Sequence, residues 1–108
     1  MDELSHIRKI FRESLPIFSA LGDDNRQKLL LMMLEIEPKS VKELADRTQL
    51  SRPSISHHLK ILKDAGIIEE KRVGTRRYYN PISGGHMVKM KQLMEEIERL
   101  EKIKAENT

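Results

Sequence analysis

The chain has 108 residues, which is enough for one domain with a modest core, and it contains no cysteine. Disulfide bonds, thiol redox chemistry and thiolate metal ligation are therefore excluded. Lysine and arginine exceed aspartate and glutamate by 20 to 17, which leaves a net charge of +3. No apolar run is long enough to span a membrane, and residues 1–3 do not open a signal peptide, so we expect a cytoplasmic protein.

The first predicted helix covers residues 1–21. Its apolar residues recur at helical spacing, at Leu4, Ile7, Phe11, Leu15 and Phe18, with Ile10 and Ile17 widening the stripe. Pro16 is expected to bend this helix or split it, and Gly22 to end it. Because the stripe is wider than a small domain needs for its own core, part of it is expected to meet a partner.

Two shorter helices follow. Asp23 or Asp24 is expected to cap a second helix that runs through Leu34. Ser40 and Glu43 then have the spacing of a capping box, in which each side chain bonds the other residue's backbone N–H. This box predicts a short third helix that ends near residue 49.

The fourth predicted helix has both ends marked. Ser51 is a natural N-cap, Pro53 falls in the first turn where no hydrogen bond is lost, and Gly66 can close the helix with positive φ. A core-facing stripe consists of Ile55, Leu59 and Leu62. Since only a tight turn separates this helix from the third, residues 40–66 read as a helix-turn-helix unit.

The opposite face of the fourth helix carries short or polar side chains, namely Ser54, Ser56, His57 and Lys60. A helix that is buried on one side and lined with hydrogen-bonding groups on the other suits entry into a DNA major groove. Residues 51–79 hold seven cations and three anions, a local charge of +4. This basic patch favours phosphate binding.

After Gly66 the helical period stops. Residues 67–73 and 76–80 read as two strands joined by Gly74-Thr75, so residues 67–80 form a β-hairpin, or wing. Its cations cluster near the turn, at Arg72, Arg76 and Arg77. The sequence therefore predicts a hairpin with a basic tip.

A last amphipathic helix is predicted for residues 86–105. Its apolar stripe includes Met90, Leu93, Met94, Ile97 and Leu100, and no later segment remains to cover it. Pairing with the first helix and with a second copy of the chain is the expected use. The fold class is thus mainly α with a small β-hairpin (α+β), a winged helix-turn-helix in the order α-α-α-α-β-β-α, with residues 1–108 as a single domain.

The run from Leu50 to Tyr79 resembles the ArsR/SmtB family of winged-helix repressors. The matching residues are Leu50-Ser51, Ser54-Ile55-Ser56-His57-His58-Leu59, Leu62, Ala65-Gly66-Ile67-Ile68, Arg72, Gly74 and Tyr78-Tyr79, with Leu21-Gly22-Asp23-Asp24-Asn25-Arg26 further upstream. The resemblance implies a homodimeric transcriptional repressor, whose recognition helix reads the major groove and whose wing grips phosphates. Pro53 departs from it, because many members keep a polar side chain there.

The resemblance also implies two kinds of metal site, but the residues at the corresponding positions of this sequence do not match the family's metal ligands. One family site needs two cysteines at the start of the third helix, where this chain has Ser40 and Lys42. Another needs carboxylate and imidazole ligands along the last helix, where only His86 survives, beside Gly84, Ile97 and Leu100. One imidazole does not make a site of about four ligands. We therefore expect no metal site and no cofactor.

These observations predict a dimeric repressor that binds double-stranded DNA at an imperfect palindromic operator, without enzymatic activity or a membrane partner. The alternative is a winged-helix protein-interaction module without its own DNA site. The expected DNA-binding residues are Arg52, Ser54, Ser56, His57, Lys60, Arg72, Arg76 and Arg77. The expected dimer interface, on residues 1–21 and 86–105, comprises Ile7, Phe11, Leu15, Met90, Leu93, Met94, Ile97 and Leu100. The operator, the regulated genes and any effector stay open, as does the part His86 plays in metal binding.

Overall fold

The computed structural model describes residues 3–35, 37, 39–82, 84 and 87–107, and within them it contains five helices and one three-stranded sheet. The elements are α1 (Glu3–Leu21), α2 (Asp24–Met33), β1 (Lys39–Ser40), α3 (Val41–Asp46), α4 (Arg52–Asp64), β2 (Ile68–Val73), β3 (Arg76–Pro81) and α5 (Met87–Glu106). The predicted fold class, with its helix order and hairpin, is confirmed. The prediction missed β1.

Strand β1 pairs antiparallel with β3, which gives the sheet order β1-β3-β2. Lys39 lies opposite Tyr79, and Ser40 lies opposite Tyr78. Ser40 is also the N-cap of α3, because its hydroxyl oxygen accepts from the backbone N–H of Glu43 at 3.1 Å. The Glu43 carboxylate accepts from the Ser40 hydroxyl at 3.2 Å, so the two side chains bond each other directly.

The main core lies where α1, α2, α3 and α4 meet the base of the sheet. Its buried residues are Ile17, Ala20, Leu29, Met33, Leu44, Ile55, Leu59, Leu62, Ala65, Ile67, Ile68 and Tyr79. They come from six elements and from the segment after α4, so α4 is fixed on its inner side by several parts of the chain. This packing presents the outer face of α4 to solvent.

Helix α1 continues through Pro16, so of the two outcomes expected for this residue, a bend or a split, the split does not occur. Ile10 before the proline and Ile17 after it are both buried. The helix has two apolar faces rather than one stripe. One face is buried in the protomer, whereas Phe11 and Leu15 on the other are 45% and 62% exposed.

Helix α5 packs along the first half of α1. A second small core joins the two helices, with Ile7, Ile10 and Leu93 buried and Ile97 and Leu100 packed at its edge. Lys89 on α5 also forms an ion pair with Glu13 on α1. The protomer is elongated, with extents of 57 × 25 × 23 Å and a radius of gyration of 17.4 Å, against about 13 Å for a compact chain of this length.

An ion pair ties the segment after α2 to the end of α3. The guanidinium of Arg47 donates to both carboxylate oxygens of Glu35, at 3.0 and 2.6 Å. This bond from Arg47 holds the pKa of Glu35 below its ordinary value. Lys39 is almost buried and donates to the Glu37 carbonyl at 2.8 Å, with its ammonium 3.6 Å from the Glu35 carboxylate.

Candidate DNA-binding surface

Helix α4 begins and ends as the sequence predicts. The Ser51 side chain accepts from the backbone N–H of Ser54 at 3.2 Å, and Pro53 lies in the first turn. Gly66 has φ of 74°, donates to the Lys63 carbonyl at 2.9 Å, and is followed by a bond from Ile67 N–H to the Leu62 carbonyl at 3.0 Å. This is a Schellman motif, which satisfies the last carbonyls of the helix and turns the chain into the wing.

The outer face of α4 brings together the five residues that the sequence selects there. Four of them are exposed and Ser54 is half-buried, and together they are Arg52, Ser54, Ser56, His57 and Lys60. Ile55 and Leu59 lie between them in sequence and point into the core. The ammonium of Lys60 is 2.7 Å from the Asp64 carboxylate, so this cation is already paired within the helix.

The wing places three arginines near its tip, and all three are exposed. Gly74, with φ of 65°, begins the two-residue turn between β2 and β3. Arg72 lies opposite Arg77 and Val73 opposite Arg76, so the first two side chains emerge from the same face of the hairpin. In the described part of the chain, Arg72 and Arg76 form no ion pair.

Glu70 connects the wing to α4. Its carboxylate is 2.9 Å from the ammonium of Lys63, 3.3 Å from Nε of Arg77, and accepts from the Tyr79 hydroxyl at 3.3 Å. The bond from Lys63 holds the pKa of Glu70 below its ordinary value, whereas burial raises the pKa of Tyr79. Around this cluster a groove of about 350 Å³ separates α4 from the hairpin; Ser56 and Lys60 also line it.

A contact that the sequence did not predict lies behind the outer face of α4. Nη1 of Arg26, on α2, is 3.2 Å from Nδ1 of His58, whose ring is mostly buried. Periodicity places His58 only beside the apolar stripe, and no local pattern relates it to a residue 32 positions away. The one sequence signal near this contact is the upstream run Asp23-Asp24-Asn25-Arg26, which is part of the resemblance to the ArsR/SmtB family.

The residues expected at the dimer interface fall into two groups. Ile7 and Leu93 are buried between α1 and α5 of the same protomer, and Met90, Ile97 and Leu100 are partly buried there or against the main core. Phe11, Leu15 and Met94 are large and exposed. The exposed apolar residues of α1 also include Leu4 and Phe18, and Phe11 contacts Phe18 with ring centroids 6.2 Å apart.

The two sets of positions that hold metal ligands in the family lie in different parts of this fold. Ser40 and Lys42 are at the start of α3, whereas Ile97 and Leu100 pack against the α1–α5 core. His86 lies outside the described residues. Among residues 3–35, 37, 39–82, 84 and 87–107, no three His, Asp or Glu side chains gather as a metal site would require. Over the same residues, no helix has the length and apolar character to cross a membrane.

Winged helix-turn-helix proteins bind DNA with an outward-facing helix that follows a tight turn and is flanked by a basic hairpin. The comparison with known proteins agrees with this class. A family model described as "Bacterial regulatory protein, arsR family" matches residues 23–70. The chain belongs to the ArsR family of DNA-binding transcriptional regulators.

Individual relatives and solved structures support this assignment. An uncharacterized HTH-type transcriptional regulator of Methanocaldococcus jannaschii is 36% identical over 69 residues, which cover 64% of this chain and 78% of that protein. The transcriptional repressor SdpR of Bacillus subtilis is 39% identical over 64 residues, or 59% of this chain and 70% of SdpR. An ArsR-like transcriptional regulator from Rhodococcus sp. RHA1 superimposes with a TM-score of 0.74 at 30% identity, covering 91% of this chain and 94% of that one. These relatives are transcriptional regulators, which is a non-enzymatic class.

Proposed function

We propose that this regulator is a homodimeric repressor that binds an imperfect palindromic operator and does not need metal to do so. The observation that carries the proposal is the exposed polar face of α4, which continues into the arginines of the wing. A helix fixed on its inner side and polar on its outer side can enter a major groove without disturbing the core. The name of the relative SdpR supports repression rather than activation.

The two parts of the surface have different proposed roles. Ser56 and His57 can each donate or accept a hydrogen bond, so they are the proposed base-reading residues. Ser54 is the neighbouring polar contact. The cations Arg52, Lys60, Arg72, Arg76 and Arg77 are the proposed phosphate contacts, which give affinity without sequence preference.

Dimerisation is proposed from the exposed side of the α1–α5 pair. Phe11, Leu15 and Met94 would be costly to leave in water, and a second copy of the same surface would cover them. The elongated shape of the protomer supports the same proposal. In such a dimer the two α4 helices would read half-sites about one helical turn of DNA apart, or a multiple of it.

The test is an anisotropy titration of the Ser56→Ala and His57→Ala variants against an operator duplex and a scrambled duplex. Each substitution should weaken operator binding by about 1–3 kcal/mol, the range of one good base contact. Each should leave binding to the scrambled duplex and its salt dependence nearly unchanged, because no charge is removed. An equal loss on both duplexes, or no loss on the operator, would contradict the assignment of this face. Lack of DNA binding by the parent protein would favour a protein-interaction module.

A further inference from the structure

We propose that His58 is a positioning residue for operator recognition. In its neutral form it holds α4 against the corner between α1 and α2 through a hydrogen bond, and this bond is lost when His58 is protonated. The inference rests on the proposed operator binding by α4. It adds a residue that does not face DNA and a proton-dependent step to that function. Arg26 occupies the corner between the three helices.

Each nitrogen of the Arg26 guanidinium has its own partner. Nε donates to the Ala20 carbonyl at 2.7 Å, and Nη2 to the Ser19 carbonyl at 3.2 Å, so two nitrogens cap the last turn of α1. The third nitrogen, Nη1, lies 3.2 Å from Nδ1 of His58. Arg26 thereby joins the end of α1 to the middle of α4.

The chemistry of this contact sets the protonation state of the ring. A guanidinium in a protein is always protonated and can only donate hydrogen bonds. Nδ1 of His58 can accept this bond only through its lone pair, which requires the tautomer that carries its proton on Nε2. Protonation of Nδ1 would turn the hydrogen bond into a contact between two cations.

A second partner is ready for the protonated ring. Oδ2 of Asp23 lies 3.9 Å from the same Nδ1, too far for a hydrogen bond but close enough for attraction to a charged ring. Asp23 is also the N-cap of α2 and accepts from the Arg26 backbone N–H at 3.0 Å. That bond holds the pKa of Asp23 below its ordinary value, so the carboxylate is charged in the pH range in which a histidine gains its proton. Protonation should thus move the ring from Arg26 towards Asp23.

The charged, titratable and hydrogen-bonding groups around His58 come from α1, α2 and α4. From α2 it faces Asp23 and Arg26, from α1 the corner receives two backbone carbonyls, and on α4 the His57 ring is 6.0 Å away. The side chain of His58 is only 12% exposed, whereas that of its neighbour His57 faces solvent. A change in how His58 anchors α4 would therefore shift the adjacent reading residues, although His58 itself does not face DNA.

The experiment compares operator and scrambled duplexes by anisotropy between pH 7.5 and 5.5, the range in which histidines exchange a proton. The ratio of the two affinities cancels the general gain in positive charge at low pH. For the parent protein this ratio should fall by about five- to tenfold, the size of one lost hydrogen bond. His58→Gln keeps an acceptor for Arg26 but gains no proton, so its ratio should be nearly independent of pH. His6→Ala, at an exposed histidine of α1 outside the proposed DNA surface, is the matched control and should keep the fall.

The outcome that overturns the proposal is an equal fall in the His58→Gln variant and the parent protein. A second measurement needs no DNA and no variant: long-range ¹H–¹⁵N NMR of the parent protein should show neutral His58 with its proton on Nε2. A proton on Nδ1 at pH 7.5 would overturn the contact itself. If the parent protein does not discriminate the operator at pH 7.5, operator reading fails, while the NMR result still decides whether Arg26 and His58 are bonded.

Discussion

Nε of Arg77 lies 3.3 Å from Oε1 of Glu70, so one of the three wing arginines is already ion-paired within the protein. Its neighbour Arg76 is exposed and forms no ion pair in the described part of the chain. The two arginines are adjacent in sequence and identical in chemistry. They therefore provide a matched pair for testing how pairing with a carboxylate of the same chain changes the contribution of an arginine to phosphate binding.

Arg76→Ala should reduce the slope of log K against log salt by roughly one unit, because one phosphate neutralisation is lost. Arg77→Ala should reduce the slope by clearly less, since Arg77 is already paired with the Glu70 carboxylate and therefore neutralises less phosphate charge. Both effects should be similar on operator and scrambled duplexes. Titrations at several salt concentrations measure them, and a larger slope change for Arg77→Ala would contradict the ion-pair argument.

Glu70→Gln should strengthen binding to the scrambled duplex and steepen its salt dependence. The substitution releases both Lys63 and Arg77 from their shared carboxylate, which makes two cations available for phosphates. Glu69→Gln is the matched control, because it removes an equal charge from the exposed neighbouring position. If the two variants gain affinity equally, general charge rather than release of the two cations explains the gain.

Leu15→Glu should make the protein monomeric at micromolar concentration, where the parent protein is expected to be the proposed dimer, while leaving the helical content unchanged. Leu15 is 62% exposed in the protomer, so a glutamate there is tolerated by the fold but is costly inside an apolar interface. Leu31→Glu, on α2 at 65% exposure, is the control and should remain dimeric. Sedimentation velocity distinguishes the species; dissociation by the control alone would move the proposed interface to α2.

Zinc, cadmium or arsenite at micromolar concentration should not release the protein from DNA. The family's ligand positions carry Ser40, Lys42, Ile97 and Leu100, and none of these side chains is a ligand for such ions in this arrangement. Anisotropy of the preformed complex, with and without each ion, makes the comparison. Stoichiometric, tight uptake by the dimer would contradict the prediction and point to the region of His86.

The Glu35–Arg47 pair should make part of the free energy of unfolding depend on acid pH. The bond from Arg47 lowers the pKa of Glu35 in the folded state, so this stabilisation is present above the unfolded pKa of about 4.3 and is lost as pH falls through the folded value. Arg47→Ala should therefore be less stable than the parent protein at pH 7, and the difference should shrink between pH 5 and 3. Urea denaturation measures it, with Lys28→Ala, from an exposed pair within α2, as the control that should show less pH dependence.

Most helix and hairpin boundaries could be predicted because their signals are local. The caps Ser40 and Ser51, the positive φ of Gly66 and the turn at Gly74 each depend on a residue and its immediate neighbours. Strand β1 could not be predicted, since two residues show no period and their pairing with β3 is some 40 positions distant. Pro16 by itself leaves a bend and a split open, and the structure shows that α1 is not split there.

The candidate surface shows the same division. Periodicity was sufficient to assign Ser56 and His57 to the outer face of α4, and the hairpin turn was sufficient to bring the arginines to the wing tip. Which cations are already paired could not be predicted. The partners of Arg77 and His58 come from other elements, and no spacing in the sequence encodes those distances.

The double role of Ser40 has a mechanical consequence. The same residue ends a strand that is paired to β3 and caps the first turn of α3, so the hairpin and the helix-turn-helix are coupled at one point. A tilt of the wing should therefore displace the first turn of α3 as well, so the hairpin and the helix-turn-helix should move together as one rigid unit.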